Sequence, residues 1–369
     1  MNIKTIAILL PCWLILLCLS GCGHKPYTRQ YKIALVHSYE EGYPDAERTR
    51  RLLCEALAKR GLSCDFREYF LNCDGLLSDK EEEFCSDFID DFTRWGAHLV
   101  AVLDDQATYS LMACGNPLLH DLPVVFSGVN YPNRQLLERY PNVTGYADAP
   151  DYLNTVRMLE RIMGKSRVCV INRNNVLDRF IWEDLMTQFD GQGYEIYCGR
   201  VGMHVSTHRK LGDDLPSLVP GVNWENERFD TTAIVRLNSD SLSLTQVAWT
   251  GYGSRTLCLF THRNFITVHS ASFFQNPCFA TVNKGFGLSD YALGGYFATI
   301  ETQLDDMGQG IAERLRGRMP AEQVRYCAKR YVVNWHVLQR YGIPLSCIPK
   351  EYTIMYMPFT ERYRYTLLY

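Results

Sequence analysis

The chain has 369 residues, a formal net charge of −3 and 47% hydrophobic residues. That length can bury two cores of ordinary size, and the slightly acidic balance implies no basic face, which argues against a nucleic-acid partner. Aromatics are abundant, at 23 Tyr, 17 Phe and 6 Trp, a surplus that suits stacking against a flat or sugar-like ligand as well as core packing.

Residues 1–21 read as a signal peptide. Lys4 supplies the positive start, and Ile6 to Leu19 is an apolar run, interrupted by Pro11 and short for a membrane span. The run ends in Leu19-Ser20-Gly21-Cys22, which resembles the bacterial lipobox, where cleavage precedes the cysteine and its thiol takes a diacylglycerol. Cys22 is the expected lipidation site and residues 22–30 a short tether. The mature protein is expected at the cell envelope, lipid-anchored on the extracytoplasmic face of the membrane. An ordinary secretory signal or an N-terminal membrane helix is the plainer alternative. No later stretch is long and apolar enough to span.

Ile33, Ala34, Leu35 and Val36 form a continuous apolar run, which suits a strand covered on both faces of a parallel sheet. The run stops at the polar and aromatic set His37, Ser38, Tyr39, Glu40 and Tyr43. From Ala46 to Arg60 the apolar residues recur at spacings of three and four, and Gly61 closes a helix. A buried strand feeding a helix through a polar loop is the first half of a βαβ unit, and in open α/β sheets ligands bind at that loop.

The same alternation continues. Cys64–Phe70 reads as a strand and Glu81–Arg94 as a helix. His98–Leu103 is a buried strand ending in Asp104-Asp105-Gln106, followed by a helix through Tyr109–Cys114. Leu122–Phe126 is a strand ending in Ser127-Gly128-Val129-Asn130, and Tyr140–Tyr146 reads as a crossover segment with Gly145 as hinge. A second set follows: a helix at Thr155–Met163, a strand at Arg167–Ile171 ending in Asn172, a helix at Phe180–Phe189 and a strand at Tyr194–Tyr197. A polar loop at Gly212–Glu227 leads to strands at Thr232–Leu237, ending in Asn238, and Thr256–Phe260, ending in Thr261-His262. Two successive β/α sets read as two lobes. Residues 280–318 read as a Gly-rich loop and one long helix, striped by Leu293, Phe297, Ile300, Leu304, Met307, Ile311 and Leu315. Strand-like YVVNW, a short helix ending at Gly342 and an extended YTIMYMPF complete the chain.

Of 14 cysteines, Cys12 and Cys18 leave with the signal and Cys22 carries the lipid, so an odd number remains and at least one thiol is unpaired. An exported location permits disulfides, and Cys54, Cys64, Cys73 and Cys85 lie close enough in sequence for one among them. No pair is assigned, no cysteine spacing suggests a metal site, and no cofactor is expected.

HSYEEGYP, VAVLDDQA, LPVVFSGVN and YPNVTGY, in that order, resemble the periplasmic substrate-binding proteins of the ABC-transporter type. The similarity is greatest to the branch that also serves as the sensor part of bacterial histidine kinases. The C-terminal run YVVNWHVLQRYGIPLSCIPKEYTIMYMPFTERYRY fits that branch, so the resemblance spans Tyr31 to about Tyr365. Pro44-Asp45 stands where the family often has tryptophan, and residues 199–229 match poorly. The resemblance implies a type I periplasmic-binding-protein fold, an α/β architecture of two Rossmann-like lobes with parallel sheets joined by a hinge. Lobe 1 would hold residues 31–144 and about 278–318, and lobe 2 would hold 145–277 and about 323–369.

With that cleft, a small molecule (amino acid, nucleoside-like or sugar) meets the carboxyl ends of strands in both lobes. The candidates are His37, Ser38, Tyr39, Tyr43, Asp104, Asp105, Gln106, Ser127 and Asn130 from lobe 1, and Asn172, Asn238 and His262 from lobe 2. Gly128, Ser239 and Lys284 lie beside them. Asp105, Ser127 and Asn172 are also good helix caps. Enzymatic chemistry in the same cleft is the alternative, but Ser38 beside His37 matches a nucleophile and base only in composition. Ser127-Gly128 lacks the GxSxG elbow, and there is no P-loop and no GxGxxG. His204 and His208 are four apart, the helical metal-pair spacing, in a segment that does not favour helix. The expected partners are an ABC permease, for uptake, or a separate membrane histidine kinase, for sensing.

Overall fold

The computed structural model describes residues 30–43, 46–73, 78–164, 166–172, 176–194, 196–201, 235–237, 255–260, 278–281, 292–356 and 366–367. Cys22, residues 23–29 of the tether, His204, His208, the 212–227 loop, Asn238, Ser239, His262 and Lys284 lie outside these residues, and Gln30, expected to end the tether, instead begins the first strand.

The first set of elements is β1 (Gln30–His37), α1 (Ala46–Ala58), β2 (Ser63–Phe70), α2 (Ser78–Trp95), β3 (Leu99–Leu103), α3 (Asp104–Ala113), β4 (Val124–Val129), α4 (Arg134–Glu138) and β5 (Val143–Ala147). The second is α5 (Tyr152–Met163), β6 (Ser166–Asn172), α6 (Val176–Phe189), β7 (Ile196–Val201), β8 (Val235–Leu237), β9 (Arg255–Phe260), β10 (Cys278–Phe279) and β11 (Ala292–Phe297). The chain closes with α7 (Ile300–Leu315), β12 (Val324–Tyr326), β13 (Arg330–Asn334), α8 (Trp335–Arg340), β14 (Thr353–Tyr356) and β15 (Thr366–Leu367).

Two sheets result. The first has the order β12-β5-β4-β3-β1-β2 and every pair in it is parallel. The second has the order β15-β14-β13-β11-β10-β9-β6-β7-β8, parallel except at β11–β13 and β14–β15. The apolar run of β1 explains its central place in the first sheet. Ile33 and Leu35 point to one face and pack with Leu53, Leu57, Leu304, Met307 and Ile311 of α1 and α7. Ala34 and Val36 point to the other and pack with Ile89 and Phe92 of α2 and Leu111 of α3. Side chains alternate along a strand, so only a strand covered twice can be apolar at every position. The second core gathers Val156 and Leu159 of α5, Leu185 and Phe189 of α6, Leu293 and Val333.

The strands divide differently from the expected lobes. Residues 143–147 are β5 and belong to the first sheet, so Tyr140–Tyr146 is not a crossover. Gly145 is held within that strand, where an added Cβ would stand 2.3 Å from the Phe126 carbonyl oxygen. That is a close-packing position rather than a hinge. β10 and β11 lie in the second sheet and not with the first lobe, whereas β12 lies in the first. Leu293 and Phe297 therefore belong to a strand, and the helix starts only at Ile300. The reason is Gly294-Gly295, whose bare α-carbons let the neighbouring backbones close in. The helix expected from Tyr109 begins earlier, at Asp104. Cys54 and Cys64 carry free thiols, and Cys73 and Cys85 are buried in the first core. Among the described residues, no helix is long and apolar enough to cross a membrane.

Candidate functional site

The carboxyl ends of β1, β3, β4 and β5 lie side by side, because these strands are parallel neighbours. At the end of β1, His37 Nε2 meets Glu68 Oε2 at 3.1 Å, and the imidazole stacks on Phe70 with ring centres 4.6 Å apart. Ser38 Oγ donates to the Leu103 carbonyl at 2.8 Å and accepts from the Ala107 N–H at 2.9 Å. This hydroxyl clamps β1 to the β3–α3 junction. Tyr39 is half-buried and stacks on Tyr43, with ring centres 4.5 Å apart and planes at 18°.

β3 runs straight into α3 with no side-chain cap at Leu103. The turn is made by Asp104, which adopts φ +70, and Gly128 on the neighbouring strand has φ +76. A Cβ on Gly128 would stand 2.9 Å from Asp104 Oδ1. A non-glycine residue held left-handed costs on the order of 1–3 kcal/mol and is typical of ligand clamps. The sequence makes room for this one by placing glycine opposite it.

Asp105 organises the loop after β4. Its carboxylate accepts from the Asn130 N–H (3.1 Å to each oxygen), from Asn130 Nδ2 (2.9 Å) and from the Tyr131 N–H (3.3 Å). Burial pushes its pKa up to about 6 against these opposing hydrogen bonds, and the charge of Asp104 adds to the rise. The Tyr109 hydroxyl donates to the Tyr131 carbonyl and accepts from the Asn133 N–H at 3.0 Å. Tyr131 in turn meets Tyr152 hydroxyl to hydroxyl at 2.8 Å, joining this loop to α5.

Two predicted residues face elsewhere. Gln106 Nε2 donates to Glu81 of α2, in the interior between α2 and α3. Ser127 Oγ donates to the Gln303 carbonyl at 3.3 Å, toward α7. A strand's end fixes where a residue lies along the sheet, but not to which side its side chain turns. Asn172 ends β6. The structure thus brings Tyr39, Tyr43, Asp104, Asp105 and Asn130 to one edge, with His37 and Ser38 beneath them. Sequence reasoning missed Tyr109, Tyr131, Tyr152 and Asp148, the last of which follows β5 and is 1% exposed. The signal available for Asp148 was an acid directly after the apolar VTGYA run.

Burial also lifts Asp148 to about 7 and Asp184, on α6, to about 6. With Asp105 and Asp306, which burial also raises, four carboxyls among the described residues stand above the ordinary 3.8. Between about pH 4 and pH 7 the folded chain holds protons that the unfolded chain has released, so stability falls as pH rises through that window. The melting temperature is expected to be higher at pH 5 than at pH 8; a flat or rising profile contradicts this.

No protein-family model matches the chain, and no curated protein matches it. Solved structures do. An ABC domain in complex with L-Trp from Streptococcus pneumonia superposes with TM-score 0.57 and 16% identity, over 89% of this chain and 100% of that one. A ligand-free, open substrate-binding protein with adhesive properties from Clostridium difficile gives 0.57 and 14%, over 89% and 99%. A conserved domain protein from Vibrio cholerae gives 0.57 and 15%, over 89% and 100%. The chain has the fold that the sequence resemblance implied, that of the type I periplasmic binding proteins.

Proposed function

We propose that this protein is a lipid-anchored extracytoplasmic lipoprotein that binds a small solute between its two sheets. It would serve sensing through a partner histidine kinase or uptake through an ABC permease. The observation that carries the reading is the edge where Tyr39, Tyr43, Asp104, Asp105 and Asn130 converge, at the carboxyl ends of parallel strands where such folds hold ligands. The aromatic pair offers a flat face and Asp104 a carboxylate, on a loop that Asp105 and Asn130 hold in place, a set that suits an amino acid, a nucleoside or a sugar. The L-Trp bound by the Streptococcus pneumonia domain puts amino acids first among these. The reading is of a binder and not an enzyme. His37 and Ser38, adjacent in sequence, engage separate partners, Glu68 and Leu103, and so do not act as a nucleophile and its base.

A thermal-shift screen of the chain from Gly23 against amino acids, nucleosides and sugars tests this. A solute well above its dissociation constant adds about 2–4 kcal/mol to the folded state. The shift is expected to vanish in Tyr39→Ala, which removes half of the stacked pair. A screen in which no small molecule raises the melting temperature overturns the reading. The anchor is checked alongside, since Cys22→Ser is expected to release the protein from the membrane fraction.

A further inference from the structure

Three segments carry the chain between the two sheets: residues 148–151 after β5, 298–299 before α7 and 327–329 after β12. Asp148 lies on the first and engages the other two. Its Oδ2 accepts from Gln303 Nε2, in the first turn of α7, at 2.6 Å. The same Gln303 amide reaches the Ala298 carbonyl at 3.3 Å, and the Ala298 backbone bears on the carboxylate, favouring its charged form. From the third segment, Lys329 is the nearby cation and Cys327 lies within electrostatic reach. The Cys327 N–H is tied to the Ala147 carbonyl at 2.9 Å, one residue before Asp148. From α3, Asp105 faces it with like charge. Lys329 is shared, standing 3.9 Å from Asp151 and influencing Asp184 on α6. Asp148 Oδ1 is buried, with no hydrogen-bond partner among the described residues.

We propose that Asp148 is a proton-binding site that sets how the two sheets stand to one another. With a proton from solvent on the carboxyl, the junction keeps the arrangement described here. When the proton leaves, the junction loosens until water reaches the carboxylate.

The physical argument is the cost of an ionised carboxylate that is buried with one oxygen unanswered. Protonation removes the charge, and a junction that admits water removes the desolvation. Lys329 does not settle the matter, because Asp151 and Asp184 draw on the same ammonium. Burial outweighs Lys329, Ala298 and Gln303, which favour the charged form, and leaves the group titrating at about 7. Both forms are then populated near neutrality. The sign follows: the buried arrangement binds the proton more tightly, so acid favours it and alkali favours the looser one. This deepens the solute-binding reading, since the stance of the sheets sets the grip on a solute, and for that consequence alone it rests on that reading. The junction can be read with no solute present.

The test is energy transfer between two dyes on the full-length protein in detergent micelles, without solute. The dyes are attached through azido residues at Lys59 and Asp190, exposed positions beyond α1 and α6. Transfer is expected to change with pH, with a midpoint near 7. Asp148→Asn, neutral at every pH, is expected to stay at the acid value throughout. Gln303→Leu, which removes a donor to the carboxylate, is expected to move the midpoint to higher pH. Transfer that is flat with pH in the unaltered protein overturns the proposal, as does an Asp148→Asn variant that titrates like it. If Asp148→Asn does not fold, a Gln303→Leu midpoint that stays in place overturns it equally. A failed solute screen leaves these outcomes standing, so the two readings fail separately.

Discussion

Gly295→Val is expected to prevent assembly of the second sheet, and the refolded protein to be insoluble or to melt far below the unaltered chain. Gly295 is a central residue of β11, paired with Val332 across the antiparallel neighbour. A Cβ there would stand 1.8 Å from the Ala280 carbonyl oxygen and 3.0 Å from both the Ala280 carbonyl carbon and Phe297 Cδ1. The obstructing atom is backbone. The Ala280 N–H is itself bonded to the Gly294 carbonyl at 3.1 Å, so the two segments cannot separate without breaking the contact that joins β10 to β11. Overpacking of a core typically costs about 1–3 kcal/mol when side chains can shift, and here a strand must shift, so about 3 kcal/mol is the lower end. Against a total stability on the order of 5–15 kcal/mol, that is disabling. Gly42→Ala is the control: an added Cβ meets nothing within 4 Å, and its melting temperature is expected to be unchanged. A Gly295→Val protein that melts with the unaltered one would show that the β10–β11 pairing is not formed as described.

The second large effect is expected from Asp105→Ala. The carboxylate gathers the Asn130 and Tyr131 backbone N–H groups and the Asn130 side-chain amide. Alanine leaves two backbone donors with no acceptor, each costing about 1–3 kcal/mol where it stays buried. The loop also loses what fixes Tyr131 against Tyr152. Hydrogen exchange at Asn130 and Tyr131 is expected to accelerate, and affinity for whichever solute the screen identifies to fall at least tenfold. Asp105→Asn keeps one acceptor and is expected to fall between the two. The loss of stability is smaller at pH 8 than at pH 5, because above its pKa of about 6 the native carboxylate bears the cost of buried charge, which alanine removes. Unchanged exchange at both amides would sink this account of the loop.

The parallel strands were legible because double burial writes itself as continuous apolar sequence, as in Ile33 to Val36 and Leu99 to Leu103. The ends of those strands were legible for the same reason, since the apolar run stops where the sheet does. Where the reading failed, two periodicities coincided or a packing partner was distant. Leu293, Phe297, Ile300 and Leu304 are spaced by three and four, so a strand followed by a helix mimicked one long helix. Only Gly294-Gly295 marked the break, and its meaning depends on Ala280 and Val332 lying against it. Gly145 looked like a hinge because glycine permits bending, but here it permits the approach of Phe126. Gln106 and Ser127 sit at strand ends as expected, yet their partners are Glu81 and Gln303, far away in sequence. Asp148 matters only because three crossing segments meet around it, which no local pattern encodes.

The late return of α7 and β12 to the first sheet has a consequence for the order of folding. The face of that sheet formed by Ile33, Leu35, Leu99, Ala101 and Val125 is closed in large part by Ile300, Leu304, Met307 and Ile311. Arg60 finds Asp305 only 245 positions further along the chain. A growing chain therefore carries an apolar surface that α1 covers only in part, until synthesis is more than four-fifths complete. Contacts of such long range make folding slow, and for all that time the exposed sheet face is available to a chaperone. The first core is therefore closed only by residues made near the end of the chain.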